Sequence, residues 1–372
     1  MFKNSRLNKN TLSGLISYAI VIAAFAIIMP LQSAGMLTNA ISGQLVPICA
    51  YIVMAISLNL TVGILGELSL GHAGFMSVGA FSGVIISAQL ADSISFAPLR
   101  LAISIIVGAI FAGIVGLLVG LPILRLRGDY LAIVTLAFGE IIKNLINCLY
   151  VGLDGRGLHI GMKDIASLGM KNGKVIINGP QGALGIERIS SFTSGVVLIL
   201  ITLFIVLNLI NSRSGRAIKA IRDNRIAAES VGIGITRYKL VAFITSAALA
   251  GAAGAYYAMN FSMIAAKKFD FNTSILVLVF VVLGGMGNIT GSIIATTVLY
   301  MLPELLREFA DYRMLIYAII LIAVMLITNN KQATLFLKNI TGAIKKLFGN
   351  IFSGKNSGGS DGGKQREAES NE

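Results

Sequence analysis

Residues 271–303 read FNTSILVLVFVVLGGMGNITGSIIATTVLYMLP, with no charged side chain from Phe271 to Pro303. A bilayer crossing needs about 20 predominantly apolar residues, and a soluble core helix rarely runs so far without a charge. The stretch is too long for a single crossing and is interrupted by GGMGNITG at 284–291. It is therefore predicted to form two spans, 273–286 and 289–303, that meet at a glycine break.

The same pattern fills most of the chain. Further charge-free tracts run through 10–66, 68–91, 101–124, 189–212, 240–266 and 314–330. Dividing them at their Gly and Pro breaks adds spans at 15–37, 43–62, 73–91, 101–124, 130–151, 193–211, 240–262 and 313–329. With 55% hydrophobic and 13% charged residues, against about 25% charged in an ordinary soluble domain, the chain has too little polar surface to cover its apolar part in water. The expected fold is an all-α polytopic membrane protein of about ten transmembrane helices, with two discontinuous, Gly-broken elements in related halves. The first apolar run, from Leu15, leads directly into more membrane and reads as a retained span rather than a cleaved signal.

Lys and Arg crowd on one set of alternate loops: at Lys3, Arg6 and Lys9, at Arg125 and Arg127, between Arg213 and Lys239, and after Lys331. That bias places the 1–14 N-terminus, the 212–239 loop and the C-terminus in the cytoplasm, around a transmembrane domain at 15–329. It also accounts for the net charge of +13 without a nucleic-acid partner. The 152–192 loop, with weak β character at Lys174 to Asn178, is expected outside, as a docking surface or a plain solvated loop. Residues 330–352 have helically spaced Phe, Leu and Ile with lysines between them, suited to lying on membrane lipid, and the Gly/Ser-rich 353–372 is expected to be disordered.

Several chemistries are disfavoured. Cys49 and Cys148 sit in separate apolar tracts, and His72 and His159 are the only histidines, so neither a disulfide framework nor a metal site is expected. No G-x-x-x-x-G-K-[ST] loop is present, so the energy must come from another polypeptide or an ion gradient. No catalytic residue and no cofactor are assigned to the chain.

Three constellations carry function. The first is SRSGRAIKAIRDNRIAAESVGIGITRYK at 212–239, where Asp223 or Asn224 can cap a short helix from Arg225 to Val231 that Gly232 ends. The bland alternative is a positive-inside anchor. The second is the pair of breaks GILGELSLG at 63–71 and GGMGNITG at 284–291. Matching interruptions in two halves of a transporter point to its pathway, and half-helix N-termini there suit a substrate carboxylate. Candidate path residues are Gly63, Gly66, Glu67, Ser69, Gly71, His72, Gly284, Gly285, Gly287, Asn288, Thr290 and Gly291. Both breaks fall on the same side by the span count, which does not fit an inverted repeat. The third is Glu140, Lys143, Asn144 and Asn147, within about a 100° arc of one helix; it reads as a path lining or as a self-satisfied ion pair.

The AAESVGI pattern in the first constellation resembles the coupling loop of ABC importer permeases, in which a short helix sits in a groove of the ATPase. GELSLGHAGFMSVGAF at 66–81, RLRGDYLAIVTLAFGEI at 125–141 and VLGGMGNITGSIIA at 282–295 are similar to the LivM-type permeases of branched-chain amino acid importers. The likeness spans 45–328. It implies ATPase coupling through Arg225, Ala227, Ala228, Glu229 and Gly232, a homologous sister permease, two ATP-binding subunits carrying ATP and Mg, and an external amino-acid-binding protein. It also implies a bacterial plasma (inner) membrane location. The alternatives are an ABC permease for a sugar, nucleoside or urea, and an ion-coupled transporter using Glu140 and Lys143 as relay.

Overall fold

The computed structural model describes residues 9–36, 38–126, 128–155, 157–170 and 173–329. The lipid-lying segment expected at 330–352 and the tail at 353–372 lie outside the described residues. The chain divides into two compact units, one through Arg313 and one from Met314.

Every apolar tract carries a helix. In chain order these are α1 (Lys9–Ser33), α2 (Asn39–Asn59), α3 (His72–Gln89), α4 (Ala97–Ile123), α5 (Asp129–Asn147) and α6 (Phe192–Asn211). There follow α7 (Arg213–Asp223), α8 (Arg225–Ser230), α9 (Ile235–Ala258), α10 (Phe271–Gly284), α11 (Ile289–Leu305) and α12 (Arg313–Asn329). Five of them, α1, α2 with its extension to Leu65, α4, α6 and α9, are long and apolar enough to cross a membrane on length and composition alone. α12 is an apolar helix belonging to the second unit.

The core forms around α2, whose residues from Leu45 to Asn59 are all buried. Tyr51 makes edge contacts with Tyr257 and Phe280 and tilts over Tyr300, tying α2 to α9, α10 and α11. The α9 sequence SAALAGAAGAYYA explains why α3 and α4 can press so closely on it. A Cβ added at Gly79 would overlap the backbone of Gly251, and one at Gly251 would overlap Ala112 Cβ. Small residues at such crossings let dispersion contacts form between backbones in a setting where lipid gives no hydrophobic drive to associate.

The all-α expectation requires correction. Residues 150–184 and 263–264 build a five-stranded antiparallel sheet in the order β2-β1-β3-β4-β5. Its strands are β1 (Tyr150–Asp154), β2 (Gly157–Gly161), β3 (Lys174–Asn178), β4 (Ala183–Leu184) and β5 (Met263–Ile264). Only β3 is legible in the sequence. β4 and β5, of two residues each, are too short to show a period of two, and β5 comes from a segment far along the chain. β5 fastens the sheet to the end of α9, and the Ile186 amide adds a bond to Ser262 O at 3.0 Å. Arg100, 4% exposed at the start of α4, forms an ion pair with Glu187 beyond β4. A cavity of about 350 Å³ lies between α3 and the sheet, with Asp92, Asp154, Lys174 and Glu187 on its wall. α6 then leads from this sheet to the 212–239 loop.

Candidate functional site

Both glycine breaks exist, and the fold brings them together. α2 does not stop at Asn59 but widens into a π-helical turn, Leu60–Leu65, ended by Gly66 at φ 79°. π-turns of this kind are uncommon and cluster at functional sites. Residues 67–71 are non-helical, and α3 starts only at His72. The second break turns through Gly285 (φ 92°) and Gly287 (φ 83°), conformations that glycine adopts without a Cβ penalty. Asn288 then caps α11 by accepting from the Gly291 amide at 3.2 Å.

Asn59 joins the two. It is fully buried, its Oδ1 accepts from the Gly287 amide at 2.8 Å, and its Nδ2 donates to Ser292 Oγ at 2.9 Å. A Cβ on Gly63 would overlap both Asn59 Oδ1 and the Gly287 backbone. Gly284 and Gly291 are equally close, which lets α10 and α11 fold back as a tight hairpin. Thr290 points elsewhere, bonding its hydroxyl to Ser17 of α1 at 2.6 Å.

Ser69, Gly71 and His72 form a second group at the start of α3. Gly71 packs against Thr135 O of α5, and Leu70 N donates to Thr135 Oγ1 at 3.0 Å. Ala73 N donates to Ser274 Oγ of α10 at 3.1 Å. His72 is buried with its Nε2 2.7 Å from Ser57 Oγ. The Ser57 hydroxyl also lies 2.8 Å from Met54 O. Near the half-helix N-termini that the sequence offered to a substrate carboxylate, the amides of Leu70, Ala73, Gly287 and Gly291 are thus engaged by protein oxygens. Ser69 Oγ is buried without a protein partner.

On α5, Glu140 and Lys143 form the (i, i+3) ion pair, while Asn144 is exposed. Glu140 lines a cavity of about 10 Å³ beside Leu70, Gly74, Asp270 and Ser274, barely the space of one water. The third constellation therefore adjoins the start of α3 and not the 284–291 break. Among the described residues no group of three His, Cys, Asp or Glu could hold a metal ion.

The 212–239 loop holds two helices where one was expected. α7 is capped by Ser212, whose Oγ accepts from Gly215 N at 3.1 Å. For α8 the cap is Asn224, accepting from Ala227 N at 3.0 Å, and Gly232 at φ 81° ends the turn that follows. Ile221, Ala228 and Ile235 form a small core that binds α7, α8 and the start of α9 into one unit. Ala228 faces inward, whereas Ala227 and Glu229 are exposed and Ile226 and Val231 stand 81% and 74% bare.

Two cations fasten this unit to the first break. Arg222 Nη1 donates to Gly63 O at 3.0 Å, and the stem of Arg222 lies where a Cβ on Gly66 would be. Lys239, 4% exposed, pairs with Glu67. In the sequence both cations read only as topology markers, and Asn59 and Ser292 do not stand out. The visible signals are the single Asn of the 43–62 span, and Glu67 as the first acid after the 10–66 tract.

The chain matches the family model described as branched-chain amino acid transport system / permease component over residues 40–327. It is 32% identical over 292 residues to the high-affinity branched-chain amino acid transport system permease protein LivM of Escherichia coli (strain K12), covering 74% of this chain and 66% of that protein. The chain thus spans a little under two thirds of that relative. It is 30% identical over 142 residues to the fructose import permease protein FruG of Bifidobacterium longum, 36% of this chain and 40% of that one. With the nucleoside ABC transporter permease protein NupC of Lactococcus lactis it shares 25% identity over 199 residues, 53% and 60% of the two chains. No solved structure matches it. On the extent of the family match and of the identity to LivM, with apolar helices throughout, the chain belongs to the permease components of branched-chain amino acid transport systems, membrane proteins of the ABC transporter class.

Proposed function

We propose that the chain is the transmembrane permease subunit of an ATP-driven importer, translocating branched-chain or related amino acids by alternating access. It would lie in the bacterial inner membrane with ten crossings and both termini cytoplasmic. A sister permease, two ATP-binding subunits holding ATP and Mg, and an external amino-acid-binding protein would complete it. The observation that carries the reading is α8: a six-residue helix that, with Val231 just after it, presents Ile226 and Val231 bare to solvent, yet is packed from behind onto α7 and α9. Such a small apolar knob on a polar loop suits a groove of a partner. Arg225, Ala227, Glu229 and Gly232 would surround it, with Ala228 holding the helix in place. The 63–71 and 284–291 breaks, with Glu140, Lys143 and Asn144 beyond them, would border the solute path.

The test is Ile226→Asp. Its side chain touches nothing that folding needs, so the purified protein should keep the wild-type melting temperature. Co-purification of an ATPase after mild solubilisation, and ATP-dependent uptake of leucine, isoleucine or valine, should both be lost. Uptake that survives ATP depletion but collapses with an uncoupler would overturn the reading in favour of an ion-coupled carrier. The likeness to fructose and nucleoside permeases supports a second cargo reading, which competition of leucine uptake by those solutes would decide.

A further inference from the structure

We propose that Arg222 and Lys239 are positioning residues that clamp the α7–α8 unit to the first glycine break, so that force on α8 moves residues 63–67 and, through Asn59, the second break. The inference rests on the importer reading above and names the side chains through which its coupling would run.

The geometry is specific. The two cations stand on opposite flanks of α8, one at the end of α7 and the other in the first turns of α9, yet both reach the same stretch of chain. Arg222 holds the Gly63 carbonyl, and Lys239 holds the Glu67 carboxylate. The Gly63 carbonyl is available because it lies in the last turn of the π-helical segment, where the regular ladder runs out. Gly66, between the two anchors, has no side chain, and this leaves room for the Arg222 stem. The loop is thus closed at both ends on one short segment, with the Ile221, Ala228 and Ile235 core filling it. A displacement of α8 cannot be absorbed inside the unit without opening that core. It passes instead to Gly63, whose backbone abuts Gly287, and to the Asn59 amide that binds Gly287 and Ser292.

Charge alone does not account for this placement. A lysine that serves only to fix topology stays hydrated, whereas Lys239 and Glu67 are almost withdrawn from water, 5% and 15% exposed as side chains. A buried pair is costly to desolvate, and its use is to enforce one arrangement of the parts it joins.

The experiment reconstitutes the purified transporter complex in liposomes and measures ATP hydrolysis and amino-acid uptake on the same samples. Wild type is measured first, and absence of ATP-dependent uptake there would sink the importer reading itself, independently of how the variants behave. Glu67→Gln with Lys239→Met removes both charges together and so leaves no unpaired charge in the core. It should keep its ATPase subunits and hydrolyse ATP within about threefold of wild type while uptake per ATP falls about tenfold or more. Arg222→Met should behave alike. The reversed pair, Glu67→Lys with Lys239→Glu, should recover uptake per ATP to within about threefold. Unchanged uptake per ATP in the neutral pair, or hydrolysis and uptake falling in parallel, would overturn the proposal and leave the clamp a purely structural contact.

Discussion

Asn59 offers the sharpest test of how the two breaks are held. Leucine at this position has a similar volume and can form neither bond. It leaves the Gly287 amide without its acceptor, which costs about 1–3 kcal/mol for a buried donor, and it removes the bond from Nδ2 to Ser292, worth about 1 kcal/mol. The total for Asn59→Leu is about 3 kcal/mol, which is about a 150-fold shift toward the unfolded state. Ser292→Ala acts from the other side: it strands the Asn59 Nδ2 group at a site with no solvent access, costing about 1–2 kcal/mol. In the double variant no stranded amide remains at position 59, and only the Gly287 donor is unpaired. The pair should therefore be about 1–2 kcal/mol more stable than the sum of the singles implies. The measurement is unfolding in mixed micelles by SDS titration, followed by far-ultraviolet circular dichroism. Additivity within about 0.5 kcal/mol, or an Asn59→Leu protein as stable as wild type, would refute a side chain bridging the breaks.

Two further outcomes concern the packing. Gly79→Val would drive a side chain into the Gly251 backbone and should cost more than about 3 kcal/mol, seen as loss of the monodisperse peak on gel filtration in detergent. Gly113→Ala is its control, because the added carbon meets Ala248 Cβ at an ordinary 3.5 Å and the profile should not change. At the sheet, Glu187→Gln should lower the melting temperature more than Arg100→Met does. The exposed carboxylate contributes little by itself, but its loss leaves a buried guanidinium uncompensated. An equal or reversed order would refute that account.

The apolar tracts, the positions of the two breaks and a cap at Asp223 or Asn224 are legible in the sequence because each is a local matter. A span needs a certain run of residues without charge, a break needs glycines in that run, and a cap needs a short polar side chain three residues before a free amide. The bipartite character of the 212–239 loop is local too, yet it escapes a reading by charge. Ser212 is as good a cap as Asn224, but the basic residues of the AIKAIRD stretch read as topology markers and mask the helix they stand on.

Which of these pieces meet is set by packing between distant segments. No spacing in the chain tells that Asn59 bonds Gly287 and Ser292, that Arg222 seats on Gly63, or that Lys239 finds Glu67, since the partners are separated by 159 to 233 residues. The sheet has the same origin: β4 is two residues long, and it is held as a strand between β3 and β5, the latter delivered by the far end of α9. Local chemistry determined where this chain forms its apolar helices and where it bends. Contacts between distant segments, set by how closely glycine and alanine let its helices approach, determined that both bends and the loop outside them form one connected site.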